Sequence, residues 1–172
     1  MSLPLMAEGE FALLKDYLEV AGSKPVSAQG LLFHDTELYS MYLDSAVQQR
    51  DEVALRKYAP LAEVTAARDD HILHQASAHR AWGVLQRLQG EFAAAETRLH
   101  QALELFEGLE TRWQIGRTYY EIAELALDQA DPSKAELYFT RALDSFEHIG
   151  ADPDAARTRQ ALESLLSPGQ AA

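Results

Sequence analysis

A segment of this chain recurs forty residues later, with the same kinds of residue in the same order. Its first copy contains Arg117-Thr118, and its second contains Arg157-Thr158. A fixed period of this size is typical of solenoids, in which each unit buries its apolar face only by stacking on its neighbours. Such folds usually bind other molecules and seldom catalyse reactions. The matching positions are Gly83, Leu85, Ala95-Glu96, Ala102-Leu103 and Phe106-Glu107, and then Ala123, Leu125, Ala135-Glu136, Ala142-Leu143 and Phe146-Glu147.

Composition predicts one soluble domain. With 172 residues, 47% of them hydrophobic, the chain is long enough to bury one substantial core. It has no cysteine, which excludes a disulfide framework and thiolate zinc sites and fits a cytoplasmic protein. The first ten residues lack a basic start, and no apolar run reaches the roughly 20 residues of a membrane span. We therefore expect a cytoplasmic location, no secretory signal and no membrane partner.

Net charge narrows the class of partner. The chain carries 27 acidic and 15 basic residues, for a formal charge of -12. Binding to nucleic acid draws most of its affinity from clustered Lys and Arg against phosphates, so we expect no nucleic-acid partner. Two explanations of the acidity remain open: it keeps the protein soluble, or it forms an acidic face for a basic partner.

Apolar residues recur at helical spacing along almost the whole chain, which predicts an all-α protein. A first helix over residues 8–20 places Phe11, Leu14 and Leu18 on one face, and a linker rich in turn-forming residues follows over 23–30. We divide the chain into an N-terminal helix and linker (1–34), a helical repeat domain (35–166) and a flexible tail (167–172).

Within the repeat domain the helices come in pairs. A break at Arg50-Asp51 separates the first two, and Asp69-Asp70 is predicted to cap the start of the third. Pro132 stands at the favoured first-turn position of a later helix. The last helix begins at Asp152-Pro153.

Small residues stand where paired helices would cross, at Gly83 and Ala123, and Gly90-Glu91-Phe92 forms the turn between two helices. The second helices carry matching triplets: Ala95, Leu99 and Ala102, then Ala135, Phe139 and Ala142. These residues resemble the tetratricopeptide repeat over 74–160, with a weaker copy over 36–70.

The resemblance implies a right-handed α-α superhelix, a solenoid of about three helix pairs with an N-terminal helix and a C-terminal capping helix. The forty-residue period exceeds the family's usual length of about 34 residues. This long period resembles the repeat arrays of bacterial regulatory proteins. The extra residues are expected in longer helices, or in loops around 107–111 and 147–153.

The resemblance also implies a binding surface, the concave side formed by the first helix of each pair. Two interpretations of its arginines remain open. They bind the carboxylates of an acidic or C-terminal peptide through forked hydrogen bonds, or they pair with acidic residues of adjacent helices and tie the units together. The predicted partner-binding residues are Arg80, Val84, Arg87, Arg117, Tyr120, Glu121, Glu124, Arg157 and Gln160.

Other functions remain as alternatives. The module senses a small ligand or signalling peptide for an attached effector, or it forms a homodimer through N-terminal apolar residues or a terminal unit. Catalysis has little support. His71 and His74 have a spacing that suits a metal, but the pattern supplies no third ligand, and no nucleophile stands near a base. We predict no enzyme activity, no metal and no cofactor.

Overall fold

The computed structural model describes residues 34–166, and the regular secondary structure within them is entirely α-helical. The helix predicted over residues 8–20 and the tail after 166 lie outside the described residues. The helices are α1 (His34–Gln49), α2 (Glu52–Arg68), α3 (Ile72–Leu88), α4 (Phe92–Gly108), α5 (Arg112–Asp128), α6 (Pro132–Ile149) and α7 (Asp152–Leu166).

The turns recur with a period of twenty residues. In each turn one residue has a positive φ: Gly90 and Gly150 are suited to this conformation, whereas the other four positions carry residues with a Cβ atom. The interior helices α2 to α6 have 17 or 18 residues. The length beyond the family's usual repeat therefore lies in the helices rather than the loops. The four other positive-φ residues are Arg50, Asp70, Glu110 and Ala130.

One predicted helix start, at Pro132, is confirmed, and one predicted cap is wrong. The Asp131 side chain accepts a hydrogen bond from the Lys134 backbone N–H at 3.0 Å, with Pro132 directly after it. The cap predicted at Asp69-Asp70 is wrong, because the residue before α3 is His71 and its side chain makes no capping bond. Asp69 instead ends α2, and Asp70 has the left-handed conformation, which an N-cap residue does not adopt.

Small residues allow the paired helices to approach closely, as the sequence predicted. A Cβ atom added to Gly83 on α3 would lie 2.6 Å from the Cγ of Leu99 on α4. Ala123 on α5 is fully buried in the cluster that contains Phe139 of α6. Close helix packing requires a small side chain opposite a large one. Gly83 and Ala123 therefore lie where the α3–α4 and α5–α6 pairs approach closely.

The core runs as a continuous band of apolar clusters from α1 to α7. Leu43, Leu55 and Leu85 join the first three helices, and Phe139 and Phe146 fill the space among the last three. Each cluster draws on neighbouring helices, as expected for a stacked repeat. Among the helices of residues 34–166, none combines the length and apolar composition that crossing a membrane requires.

Candidate functional site

The inner surface of the superhelix is formed by the first helices of the pairs, α1, α3, α5 and α7. Helical spacing explains which side chains reach it: Arg80 and Arg87 lie two turns apart on α3, and Arg117, Glu121 and Glu124 follow one face of α5. Arginine is long enough to span the gap between such helices, and it packs its stem against apolar neighbours.

The deepest part of the inner surface is a carboxylate shared by two arginines. Arg80 Nη2 donates to Asp44 Oδ1 at 2.5 Å, and Arg117 Nη1 lies 3.4 Å from Asp44 Oδ2. Arg117 Nη2 also donates to the backbone oxygen of Asp44 at 3.4 Å. All three side chains are buried. The cluster therefore joins α1 to both α3 and α5.

Burial and neighbouring charges shift the pKa values of Asp44 and Arg80 in opposite directions. Burial alone would raise the pKa of Asp44, but the guanidinium groups of Arg117 and Arg80 hold it below its usual value. Burial lowers the pKa of Arg80 to about 10, against the influence of Asp44. Among the described residues, Nε of Arg80 and both Nε and Nη1 of Arg117 find no hydrogen-bond acceptor. Backbone oxygens supply further acceptors, since Arg80 Nη1 donates to the carbonyl of Gln114 at 3.3 Å and Arg117 Nη2 donates to that of Asp44 at 3.4 Å.

A second ionic cluster lies at the end of α1. Arg50 Nη1 donates to both oxygens of Glu121, at 2.8 and 2.7 Å, and Arg87 Nη1 donates to Glu124 at 3.0 Å. Burial would raise the pKa of Glu121, but Arg50 and Arg87 lower it below its usual value. Burial would lower the pKa of Arg50, but Glu121 raises it. The ionised forms of Arg50 and Glu121 therefore stabilise each other.

Aromatic rings contact the guanidinium groups of Arg157 and Arg117. The Arg157 guanidinium lies 4.3 Å from the centre of the Tyr120 ring and donates to the Gln48 side chain. The Arg117 guanidinium lies 4.7 Å from the centre of the Trp113 ring. Such contacts help to hold a cation in a partly desolvated place. Burial raises the pKa of Tyr120, so this phenol stays neutral at physiological pH.

The comparisons with known proteins agree with this architecture. Residues 74–148 match the family model of the tetratricopeptide repeat. The match covers most of the helices from α3 to α6, the two complete pairs with the strongest sequence repeat. Tetratricopeptide repeats generally mediate protein–protein interaction and are typically not catalytic.

A solved structure shares the fold. The crystal structure of BtubC (BKLC) from P. vanneervenii superposes with a TM-score of 0.57 over 97% of this chain and 77% of that chain, at 14% sequence identity. At this identity the likeness concerns the fold, a superhelix of helical repeats. No curated protein matches the chain. The assignment to a long-period, bacterial regulatory type of tetratricopeptide repeat stays a prediction.

The predicted partner-binding residues are less accessible than the sequence suggested. Val84 lies apart from the ionic clusters, in the apolar core of α1 to α3. Glu124 and Arg157 are half-buried, and Gln160 is exposed. Whether these residues bind a partner stays a prediction. The buried members of the set are Arg80, Val84, Arg87, Arg117, Tyr120 and Glu121.

Direct contacts support the alternative role of the arginines, in which they tie the repeats together. Arg80 and Arg117 pair with Asp44, and Arg87 pairs with Glu124. Each pair joins two helices. Arg157 differs, because its hydrogen bond among the described residues goes to an uncharged amide.

Sequence reasoning missed the residues of α1 that complete the inner surface: Asp44, Gln48 and the adjoining Arg50. A signal for Asp44 was present, since it stands eighty residues before Glu124. The repeat register therefore assigns it to the inner side. Nothing comparable marks Gln48 and Arg50, which meet partners 109 and 71 residues away along the chain.

The histidine pair does not gain a third ligand in the described part of the chain. The rings of His71 and His74 lie 4.0 Å apart, and burial together with His71 lowers the pKa of His74. Among residues 34–166, no group of three or more His, Cys, Asp or Glu side chains is arranged to hold a metal ion. The chemistry that the inner surface does offer is recognition of carboxylates by guanidinium groups.

Proposed function

We propose that this chain is a non-catalytic, cytoplasmic protein-interaction module that binds a partner peptide through the inner surface of its superhelix. The observation that carries the proposal is the placement of three arginines from successive first helices: Arg80 and Arg117 meet at Asp44, and Arg117 and Arg157 line one small pocket. Guanidinium groups bind carboxylates in a forked geometry that gives both affinity and direction. The match to an interaction repeat supports the same conclusion.

The first contact with a partner would use the rim of this surface. Arg157 and Gln160 lie on adjacent turns of α7, and solvent reaches both side chains. Arg157 is already oriented by Tyr120 and Gln48. An arginine held in place loses less side-chain entropy when it binds, so it is suited to act as the energetic anchor of an interface.

A peptide library tests the proposal. Peptides selected on the wild-type protein from a random phage-displayed library are measured against Arg157→Ala and against Arg159→Ala. Arg159 is a matched control, because it lies on the same helix, is half exposed and pairs with Glu147. We expect Arg157→Ala to weaken binding at least tenfold, about 1.4 kcal/mol, with Arg159→Ala unchanged. Peptides that bind both variants as well as wild type would place the binding surface elsewhere.

A second candidate function is sensing, in which a bound peptide changes the shape of the module and so controls an attached effector. The observation that favours it is the set of contacts from α1 to α5 and α7, which a ligand entering between them would have to break. Small-angle scattering with and without a selected peptide separates the two functions. Sensing predicts a larger radius of gyration in the complex, whereas a passive scaffold keeps the same radius.

A further inference from the structure

The outward face of α2 is apolar, whereas the corresponding faces of α4 and α6 are mostly polar. Val53, Leu61 and Val64 are 79%, 43% and 69% exposed. A terminal repeat of a solenoid needs a polar outer face to stay soluble, and the first described pair lacks one. This indicates that another segment covers α2. The exposed residues at the same repeat positions are Ala93, Gln101 and Glu104 on α4, and Ser133, Arg141 and Asp144 on α6.

The charge of α2 also differs from that of the other second helices. α2 carries three basic and two acidic residues, whereas acidic residues outnumber basic ones on α4 and on α6. The basic residues Arg56, Lys57 and Arg68 are exposed and lie on the same side of the helix as the two valines. Arg56 pairs with Glu52, but an exposed pair of this kind exchanges partners at little cost. A second copy of α2 would bring like charges together, so a cover with acidic residues fits better.

One segment of this chain, outside the described residues, has the matching pattern. Residues 8–20 place Phe11, Leu14 and Leu18 at helical spacing, and they include four acidic residues and one basic residue. As a helix, this apolar stripe would be about 10 Å long, and the stripe from Val53 to Val64 is about 16 Å long. The segment is therefore complementary to α2 in polarity, charge and length.

The connection between this segment and α1 is long enough for the contact. Residues 21–33 can span up to about 43 Å, whereas α2 with its 17 residues is about 26 Å long. The first helix packs directly on α2, where the ring of Tyr42 stacks on that of Tyr58 at 4.4 Å between centres. A short tether gives an effective concentration in the millimolar range. At micromolar protein, the segment of the same chain therefore outcompetes that of another copy.

We propose that residues 8–20 of this chain dock along the outward face of α2 through the stripe of Phe11, Leu14 and Leu18. The inference is independent of the proposed function, which concerns the inner surface. It gives the N-terminal segment the role of covering an apolar face. At protein concentrations near the effective concentration of the tether, two copies exchange their segments and form the same contact between chains.

Photocross-linking in the full chain tests this contact. The photoreactive residue p-benzoylphenylalanine replaces Val64 in one variant. In the matched control it replaces Glu104, the exposed residue at the same repeat position of α4. After irradiation at micromolar protein, proteolysis and mass spectrometry identify the linked peptides, and circular dichroism checks that both variants fold. We expect position 64 to cross-link to residues 8–20 in a product with the mass of one chain, and position 104 not to reach that segment.

A second pair of variants tests which side of the segment makes the contact. Leu14→Gln, added to the protein labelled at position 64, should lower the cross-linking yield about tenfold, because one leucine leaves the buried contact. Leu13→Gln is the matched control, since it makes the same chemical change on another side of the predicted helix. Its yield should equal that of the labelled protein without this change.

The contrary results are distinct from one another. A link from position 64 to another part of the chain, or no link at all, overturns the proposal. A product with the mass of two chains at micromolar protein also overturns it: a link to α2 would show direct pairing of two copies, and a link to residues 8–20 would show exchange in place of the contact within one chain. Equal yields for Leu14→Gln and Leu13→Gln overturn the assigned stripe.

Discussion

Replacing Gly83 with alanine tests whether helix packing in this fold depends on a missing side chain. The new Cβ would lie 2.6 Å from Cγ and 2.8 Å from Cδ2 of Leu99, and 3.2 Å from the backbone oxygen of Ala95. Leu99 has no exposed surface and Cγ is not the end of its side chain. The clash is therefore relieved only if α3 and α4 move apart.

The magnitude follows from two opposing effects. Alanine favours the helix over glycine by about 1 kcal/mol in a helix interior. Overpacking of a filled core costs about 1 to 3 kcal/mol, and a contact with backbone and with a fully buried leucine belongs near the upper end. The net expectation is a loss of about 2 kcal/mol in the free energy of unfolding. For a domain of this size that corresponds to a fall of about 4 to 8 °C in Tm.

Urea unfolding followed by circular dichroism measures this loss, and Gly108→Ala is the matched control. Gly108 is the last residue of α4, and a Cβ added there meets no atom within 4 Å. We expect Gly108→Ala to stabilise the protein by about 0.5 kcal/mol, because alanine restricts the unfolded chain. The reasoning is refuted if Gly83→Ala is as stable as wild type or more stable, since helix propensity would then outweigh the packing contact.

Three further predictions concern a turn, a histidine and an exposed face. Ala130 has a φ of 58°, a left-handed conformation that is strained for a residue with a Cβ atom. Ala130→Gly should raise the free energy of unfolding by about 0.5 kcal/mol, because removing this strain outweighs the entropy that glycine adds to the unfolded chain. A lower urea midpoint would contradict this. Burial and Arg98 lower the pKa of His79, whose Nδ1 lies 2.8 Å from Arg98 Nη1. Neutral His79 contributes its full stability above the unfolded pKa of about 6.5, and this stability is lost as the pH falls through the lower pKa of the folded state. The urea midpoint of the wild type should therefore drop between pH 7 and 5. The drop should be smaller in His79→Gln. Self-association through α2 is a proposal favoured by Val53 and Val64, which are 79% and 69% exposed. In light scattering, the molar mass of the wild type should rise with protein concentration, whereas that of Val53→Lys/Val64→Lys should stay at the mass of one chain. A constant molar mass for the wild type would reject the proposal.

Local rules were enough to predict the helix pairs. The 3.6-residue spacing of apolar residues located the helices, and the small residues at Gly83 and Ala123 marked the crossings. Pro132 marked the start of α6, and the structure shows Asp131 as its N-cap residue. The rule failed at Asp69-Asp70, where two candidate caps stand together and the backbone places the second in a left-handed turn. Sequence alone does not show that Asp69 ends one helix, that Asp70 forms the turn and that His71 precedes the next helix.

The candidate site was only partly predictable because it depends on how tightly the superhelix is wound. The repeat register placed Arg117 and Arg157 on the inner side, and their contacts with Asp44 and Gln48 agree with that placement. Winding accumulates from a small rotation between successive repeats, which leaves no mark on the spacing of apolar residues. The sequence therefore could not show that α1 approaches α5 and α7, or that its side chains meet the arginines there.

The balance of charge gives the inner surface a different character from the rest of the protein. Five arginines lie on it, and four of them make ion pairs with carboxylates of the described residues. These arginines are Arg50, Arg80, Arg87 and Arg117, and the carboxylates are Asp44, Glu121, Glu124 and Asp128. The whole chain carries a charge of -12, so its residues outside the inner surface are the more acidic. An acidic peptide is repelled at long range and attracted only where its carboxylates reach guanidinium groups within hydrogen-bond distance. Salt at 0.15 M screens charges beyond about 8 Å and leaves buried pairs largely intact, so physiological ionic strength removes the repulsion and retains the attraction. An acidic surface and an arginine-lined interior are thus compatible with an acidic partner, and selectivity would come from the fit inside the superhelix rather than from the field around it.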